Sequence, residues 1–272
     1  MINRDKDFCF CTLALGEKYR RLVKQLAQDI QQYSPGTSLV VYTDLPEDLR
    51  DQNNILAFPH QSQGVLYCFH DRRFVIEKAL SLFRVAIHID ADTTIIEEVP
   101  EIDWQPGITS DEGKFQNIIG HLDAKEKYLG EKIPKEREAF HKIASKLGIS
   151  LENTFWIQEA LYIVARDEGR EKEFIKQWGR IGRYLELRQI HRGDGNAIGL
   201  AAAKVGWTVN THGFQDLIKV RRHLDASKDP TEKLPNSQLK TMGDELKFKL
   251  KYHSRLNLAR IKALKDWEFY YG

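Results

Sequence analysis

The stretch 84-RVAIHIDADTTII-96 decides how this chain is read. Val85, Ile87 and Ile89 alternate with small or polar neighbours, which is the period of a β-strand. The strand then gives way to two aspartates one residue apart, Asp90 and Asp92. In open parallel sheets, ligands gather beyond the carboxyl ends of the strands. Two carboxylates leaving such an end can face one hard cation, whose other positions take water and diphosphate oxygens. The same order of residues also suits a phosphorylated nucleophile, Asp90, with Asp92 as its acid/base partner. A third reading makes both aspartates solvated caps of the next turn.

The residues before this stretch set its context. "FCFCTLALG" (8–16) alternates like a strand, and the helical spacing of Leu22, Leu26 and Ile30 predicts a helix over 17–33 that "SPG" ends. "SLVVYTD" (38–44) reads as a buried parallel strand, and "NILAF" (54–58) as another short one. "DRRFVIEKALSLF" (71–83) predicts a helix with Phe74, Ala79 and Leu82 facing inward. The order β-α-β-(β)-α-β predicts an α/β fold with a parallel sheet covered by helices.

Beyond it, 120–150 is highly charged and reads as helix and loop, a candidate insertion or lid. "TFWIQEALYIVA" (154–165) predicts a strand and 169–187 a helix. "HRGDGNAIGLAAAKVGWTVN" (191–210) predicts a Gly-rich turn, an Ala-rich helix and a short strand. The tail predicts an alternating strand ending at His253, then a basic helix. No repeat interrupts residues 1–272, which are taken as one domain.

With 272 residues, 42% of them hydrophobic and 29% charged, the composition excludes long disorder. Cys9, Cys11 and Cys68 are an odd set, two of them on one strand face, which points to buried thiols in a reducing compartment. "MINRDKDF" lacks the apolar core of a signal peptide, and no apolar run reaches the roughly 20 residues of a membrane span. A cytoplasmic protein is therefore expected. Between Lys219 and Lys265, 13 Lys and Arg stand against 5 Asp and Glu. That basic fifth could meet a diphosphate or an acidic lipid surface, or be a solvated helix face.

Two families share features with this chain. "DADTTI" and "GDGNAIG" resemble the nucleophile and Gly-Asp loops of haloacid-dehalogenase phosphatases, with Asp90 as the nucleophile. In that family, however, the nucleophile strand comes first in its core domain, and another Asp soon follows the Gly-Asp loop. Here about 80 residues of β-α-β-α precede the motif, and Asn196 follows Asp194 without a second Asp. The order of "VVYTD", "EKALSLFRV" and "IHIDADTTI" resembles GT-A fold glycosyltransferases with a DxD motif. "FWIQEALYIVA" looks like their acceptor-side strand, with Gln158 and Glu159 in place of small residues. "GDGNAIGLAAAKVGW" looks like their "DQxALN" block, with Gly195 replacing Gln. The third possibility is a non-catalytic binding protein on the same fold.

The GT-A resemblance implies a mixed, mostly parallel sheet flanked by helices. Residues 1–100 would form the nucleotide-binding half, and 101–272 the acceptor-side half with its basic C-terminal helix. It implies a nucleotide-diphosphate sugar donor, a UDP-sugar first, and a saccharide or other hydroxyl acceptor, with no nucleic acid. Mn²⁺ or Mg²⁺ would be held by Asp90, Asp92 and a late histidine, His253 ahead of its rival His212. Donor contacts would come from Thr12, Leu13, Ala14, Thr43, Asp44, Lys78, Ile89, Asp90, Ala91 and Gln158. Lys78 could equally be a helix-surface lysine. Asp194 and Glu159 are the candidate catalytic carboxylates. Asp194 could instead cap its helix, and Glu159 could pair with an arginine.

Overall fold

Alternation along the first strand assigns its side chains to two cores. A computed structural model describes residues 6–111, 117–129, 133–224, 226 and 242–272. In strand β1 (Phe8–Ala14), Phe8 and Phe10 pack on one side of the sheet, and Cys9 and Cys11 on the other. Both thiols are free and fully buried, and burial pushes their pKa up, so they behave as small apolar groups.

Helix α1 (Glu17–Tyr33) covers the Phe8 side with Val23, Leu26, Ala27 and Ile30. Strands β2 (Ser38–Thr43) and β3 (Ile55–Pro59) add in parallel on one side of β1, and β4 (Val85–Ile89) on the other. Helix α2 (Arg72–Leu82) covers the Cys9 side. Its fully buried residues are Val75, Ile76, Ala79 and Leu80, so the inward face is turned slightly from the expected Phe74 and Leu82.

Past β4 the chain makes a separate two-stranded antiparallel ribbon from β5 (Thr93–Ile95) and β9 (Arg221–His223). The main sheet continues with β6 (Gly107–Thr109), β7 (Leu161–Ala165) and β8 (Val209–Asn210), in the order β3-β2-β1-β4-β7-β6-β8. Strand β7 runs antiparallel to both neighbours, while the other pairs are parallel. The result is an α/β fold with a seven-stranded mixed, mostly parallel sheet flanked by helices.

Three expectations need correction. The region 120–150 carries two helices, α3 (Ile118–Leu129) and α4 (Ile133–Leu147), and α4 buries Phe140, Ile143 and Leu147 in the main core. The helix-and-loop reading holds, but α4 packs into the main core, so the segment is part of the fold and not a separate lid. Only 161–165 of the expected strand 154–165 pairs as a strand; Glu159 and Ala160 form the turn before it. Helices α5 (Arg170–Leu187), α6 (Asp194–Lys204) and α7 (Phe214–Lys219) follow.

The third concerns the tail, where residues 242–263 form one helix, α8 (Met242–Ala263), with a short helix α9 (Trp267–Tyr271) after it. The alternation of Leu246, Phe248, Leu250 and Tyr252 mimics a strand. Leu, Lys and Arg, however, are good helix formers, and among the described residues no sheet edge pairs with this segment. His253 therefore lies exposed on a helix rather than at a strand end.

Candidate functional site

The carboxyl end of β4 is closed by a tight turn in which the Thr93 N–H donates to the Asp90 carbonyl at 3.1 Å. The Asp90 N–H donates in turn to the Ala160 carbonyl at 3.1 Å, tying the turn to the start of β7. Asp92 is gripped from the β9 side. Its carbonyl accepts from Leu224 N–H at 2.8 Å, and its Oδ2 accepts from Ala226 N–H at 2.8 Å. His223, on β9, brings Nδ1 to 3.6 Å from Asp92 Oδ1. One ligand atom each from Asp90, Asp92 and His223 lies within 4.8 Å of the others.

That donor set is two carboxylate oxygens and one imidazole nitrogen. Its carboxylate oxygens suit Mg²⁺, Ca²⁺ or Mn²⁺, and its imidazole nitrogen also admits ions such as Zn²⁺. The third member is thus His223 and neither expected histidine. His253 lies on α8, and His212 is exposed in the loop before α7.

Arg72, at the first position of α2, occupies the centre of the site. Its Nη2 donates to Asp90 Oδ1 at 2.7 Å and its Nη1 to Asp194 Oδ2 at 2.5 Å. Burial opposes its charge, but Asp90 and Asp194 hold its pKa well above the ordinary arginine value. Burial, countered by Arg72 and aided by Asp92, raises the pKa of Asp90.

Asp194 opens α6 and is almost wholly buried. It is not the helix cap. Gly193 holds that position, and the Asp194 carboxylate turns to Arg72. Glu159 Oε1 accepts from the Gly195 N–H at 3.0 Å, and the Glu159 side chain also hydrogen-bonds Asp194. Burial first, then the charge of Asp194, raises the Glu159 pKa to about 8. Glu159 therefore favours its protonated form at neutral pH, beside the Asp194 carboxylate. No arginine forms an ion pair with it among the described residues, although Arg72 contributes a nearby positive charge.

The glycines around Asp194 have a packing reason. A Cβ at position 195 would stand 2.3 Å from the Ile157 carbonyl oxygen, and one at 199 would stand 2.0 Å from the Phe155 carbonyl oxygen. The amino end of α6 rests directly on the 155–159 segment, and this contact brings Glu159 to Asp194. Gly195 is thus where backbone approach leaves no room for a side chain such as Gln.

Among the remaining expected residues, Ile89 and Ala91 are buried on either side of Asp90. Thr12, Leu13 and Ala14 end β1, beside Tyr42 and Thr43 of β2, on the same edge of the sheet as Asp90. The buried Thr12 Oγ1 and Gln158 Oε1 make no hydrogen bond among the described residues. Thr43 is buried. Asp44 accepts from Gly16 N–H at 3.0 Å and from Arg20 Nη1 at 2.7 Å. These bonds outweigh burial and lower its pKa.

Lys78 lies elsewhere. Six residues after Arg72, it is about 9 Å further along the helix, and its Nζ sits 4.5 Å from the centre of the Phe58 ring on β3. The cation that meets the carboxylates is Arg72. Its position was readable in principle, because a helix leading into the next parallel strand begins at the carboxyl edge of the sheet.

Sequence reading also missed Tyr19 and Arg221. Asp92 and Asp90 help burial to raise the Tyr19 pKa, and Asp90 opposes the lowering of Arg221 by burial, so both side chains lie within electrostatic reach of the carboxylates. Compared with known proteins, the chain matches no family model and no curated sequence.

Proposed function

We propose that this chain is a metal-dependent glycosyltransferase of GT-A type, moving a sugar from a nucleotide-diphosphate donor to a hydroxyl acceptor. One observation carries the reading. Asp90, Asp92 and His223 bring one potential ligand atom each together beyond a central strand, and a second carboxylate pair, Asp194 and Glu159, faces them across Arg72.

A divalent ion bound at the triad would neutralise charge gathering on the departing diphosphate. The ends of β1 and β2, with Thr12, Leu13, Ala14, Thr43 and Asp44, lie on the nucleoside side. Glu159 and Asp194 lie on the side where the antiparallel strand β7 and helix α6 meet. There the Asp194 carboxylate accepts hydrogen bonds from sugar hydroxyls or takes the proton of the attacking hydroxyl. Protonated Glu159 donates to Asp194 and keeps the two acids from repelling each other.

Thermal-shift measurements with UDP, GDP and CMP, with and without Mn²⁺, test the reading. Metal-dependent stabilisation by one diphosphate is expected. No shift with any nucleotide would sink it. Hydrolysis of phosphate esters that vanishes in Asp90→Asn would replace it with a phosphatase.

A further inference from the structure

Helix α8 keeps Leu256, Ala259 and Ala263 against the body of the protein, at 2, 3 and 2% exposure. Arg255 anchors it there through bonds to the Ser62 and Gly64 carbonyls, both 3.3 Å. On the opposite side of the same helix Leu246, Leu250, Leu258 and Ile261 share one face at helical spacing, interrupted by Lys247, Ser254 and Asn257, and with Leu264 in the turn that follows each is more than half exposed (58, 62, 52, 63 and 53%). Trp267, just beyond, is 59% exposed.

Charge decides what can cover this face. Between Leu246 and Lys265 the chain carries seven Lys and Arg and no Asp or Glu. By helix geometry, Lys251 and Lys262 border the apolar row on one side, and Lys249 and Arg260 on the other; the first turn of α8 adds Asp244 and Glu245, the latter paired with Lys249 at 2.6 Å, so the helix from Met242 to Ala263 carries six Lys and Arg against two acids. A second copy laid on the row would set basic borders against basic borders, which repel. An anionic bilayer instead takes the apolar row into its headgroup boundary while its phosphates meet both borders. Long basic side chains reach the headgroups as their stems cover apolar surface, and an exposed Trp suits the same depth. Among the described residues no helix is long and apolar enough to cross a membrane, so α8 would lie along the surface.

The geometry points to α8 as a docking helix for the surface of a negatively charged lipid bilayer. This surface is separate from the carboxylate site and does not depend on its chemistry. The test is co-sedimentation of the full chain with vesicles of phosphatidylcholine alone, or with about a third phosphatidylserine. Pelleting is expected with the anionic vesicles, at least about tenfold stronger than with neutral ones and weakened by salt.

Leu250→Glu combined with Ile261→Glu should abolish pelleting. The melting temperature should hold, because both side chains are mostly in solvent. Lys251→Gln with Lys262→Gln should weaken it by about thirtyfold. Equal pelleting with both vesicle types, pelleting that survives the double Glu change, or no pelleting at all overturns the proposal. So does a dimer in sedimentation equilibrium that the double Glu change dissolves without any lipid binding, since a second copy would then be the occupant.

Discussion

Arg72 and Asp194 meet at 2.5 Å although 122 residues separate them in the chain. The second amine of the same guanidinium reaches Asp90 at 2.7 Å, so one side chain joins the turn after β4 to the start of α6. Arginine suits this role because its planar fork presents two donors in fixed directions.

Removing that bridge should be costly. Arg72→Met leaves Asp90, Asp194 and Glu159 facing one another without a cation, and about 3–5 kcal/mol of stability should be lost in urea unfolding. Arg72→Lys keeps the charge but not the two-way fork, so it should recover only part of the loss. Equal stability of all three proteins would show that the bridge contributes nothing.

The candidate metal site separates local from long-range inference. Asp92→Ala and His223→Ala should each weaken Mn²⁺-dependent nucleotide binding by at least about tenfold. His253→Ala and His212→Ala should leave it unchanged. Calorimetric titration with UDP and Mn²⁺ reads this directly, and binding insensitive to Asp92→Ala would rule out the metal bridge.

Glu159 imposes a pH dependence whose sign follows from its raised pKa. The unfolded chain releases this proton near the ordinary value of 4.5, while the folded chain holds it to about 8. Between those values the folded state binds one more proton, so its stability falls as pH rises through the window and levels off above it. Glu159→Gln removes this slope. The variant should match the parent near pH 4.5 and exceed it at pH 8 by on the order of a few kcal/mol. Parallel stability curves for the two proteins from pH 5 to pH 8 would mean that Glu159 is ionised throughout.

Packing at the amino end of α6 gives another measurable cost. Gly195→Ala places a Cβ 2.3 Å from the Ile157 carbonyl oxygen, so the helix or the loop must shift. A loss of about 2 kcal/mol is expected, within the usual range for overpacking. The shift also pulls the Gly195 N–H from Glu159, so the pH dependence of stability should change with it. An unaltered melting profile would show that the contact is slack.

What depends on neighbours along the chain was legible in the sequence. Strand and helix periods over 8–89 placed four parallel strands and their covering helices, and the pattern ahead of Asp90 put two carboxylates at a strand end. Asp194 and Glu159 also stood out locally, one beside a glycine turn and the other a charge beside an apolar run. Which groups meet follows from the three-dimensional packing. His223 joins Asp92 because β9 pairs with β5 in one register, and Arg72 joins Asp194 because α2 and α6 both open at the same edge of the sheet. Alternation in 245–253 misled for the same reason: a strand needs an edge to pair with, and among the described residues this segment pairs with none and forms a helix. Side-chain periodicity is a local property, whereas ligand sets and pairing partners are fixed by contacts between residues more than a hundred positions apart.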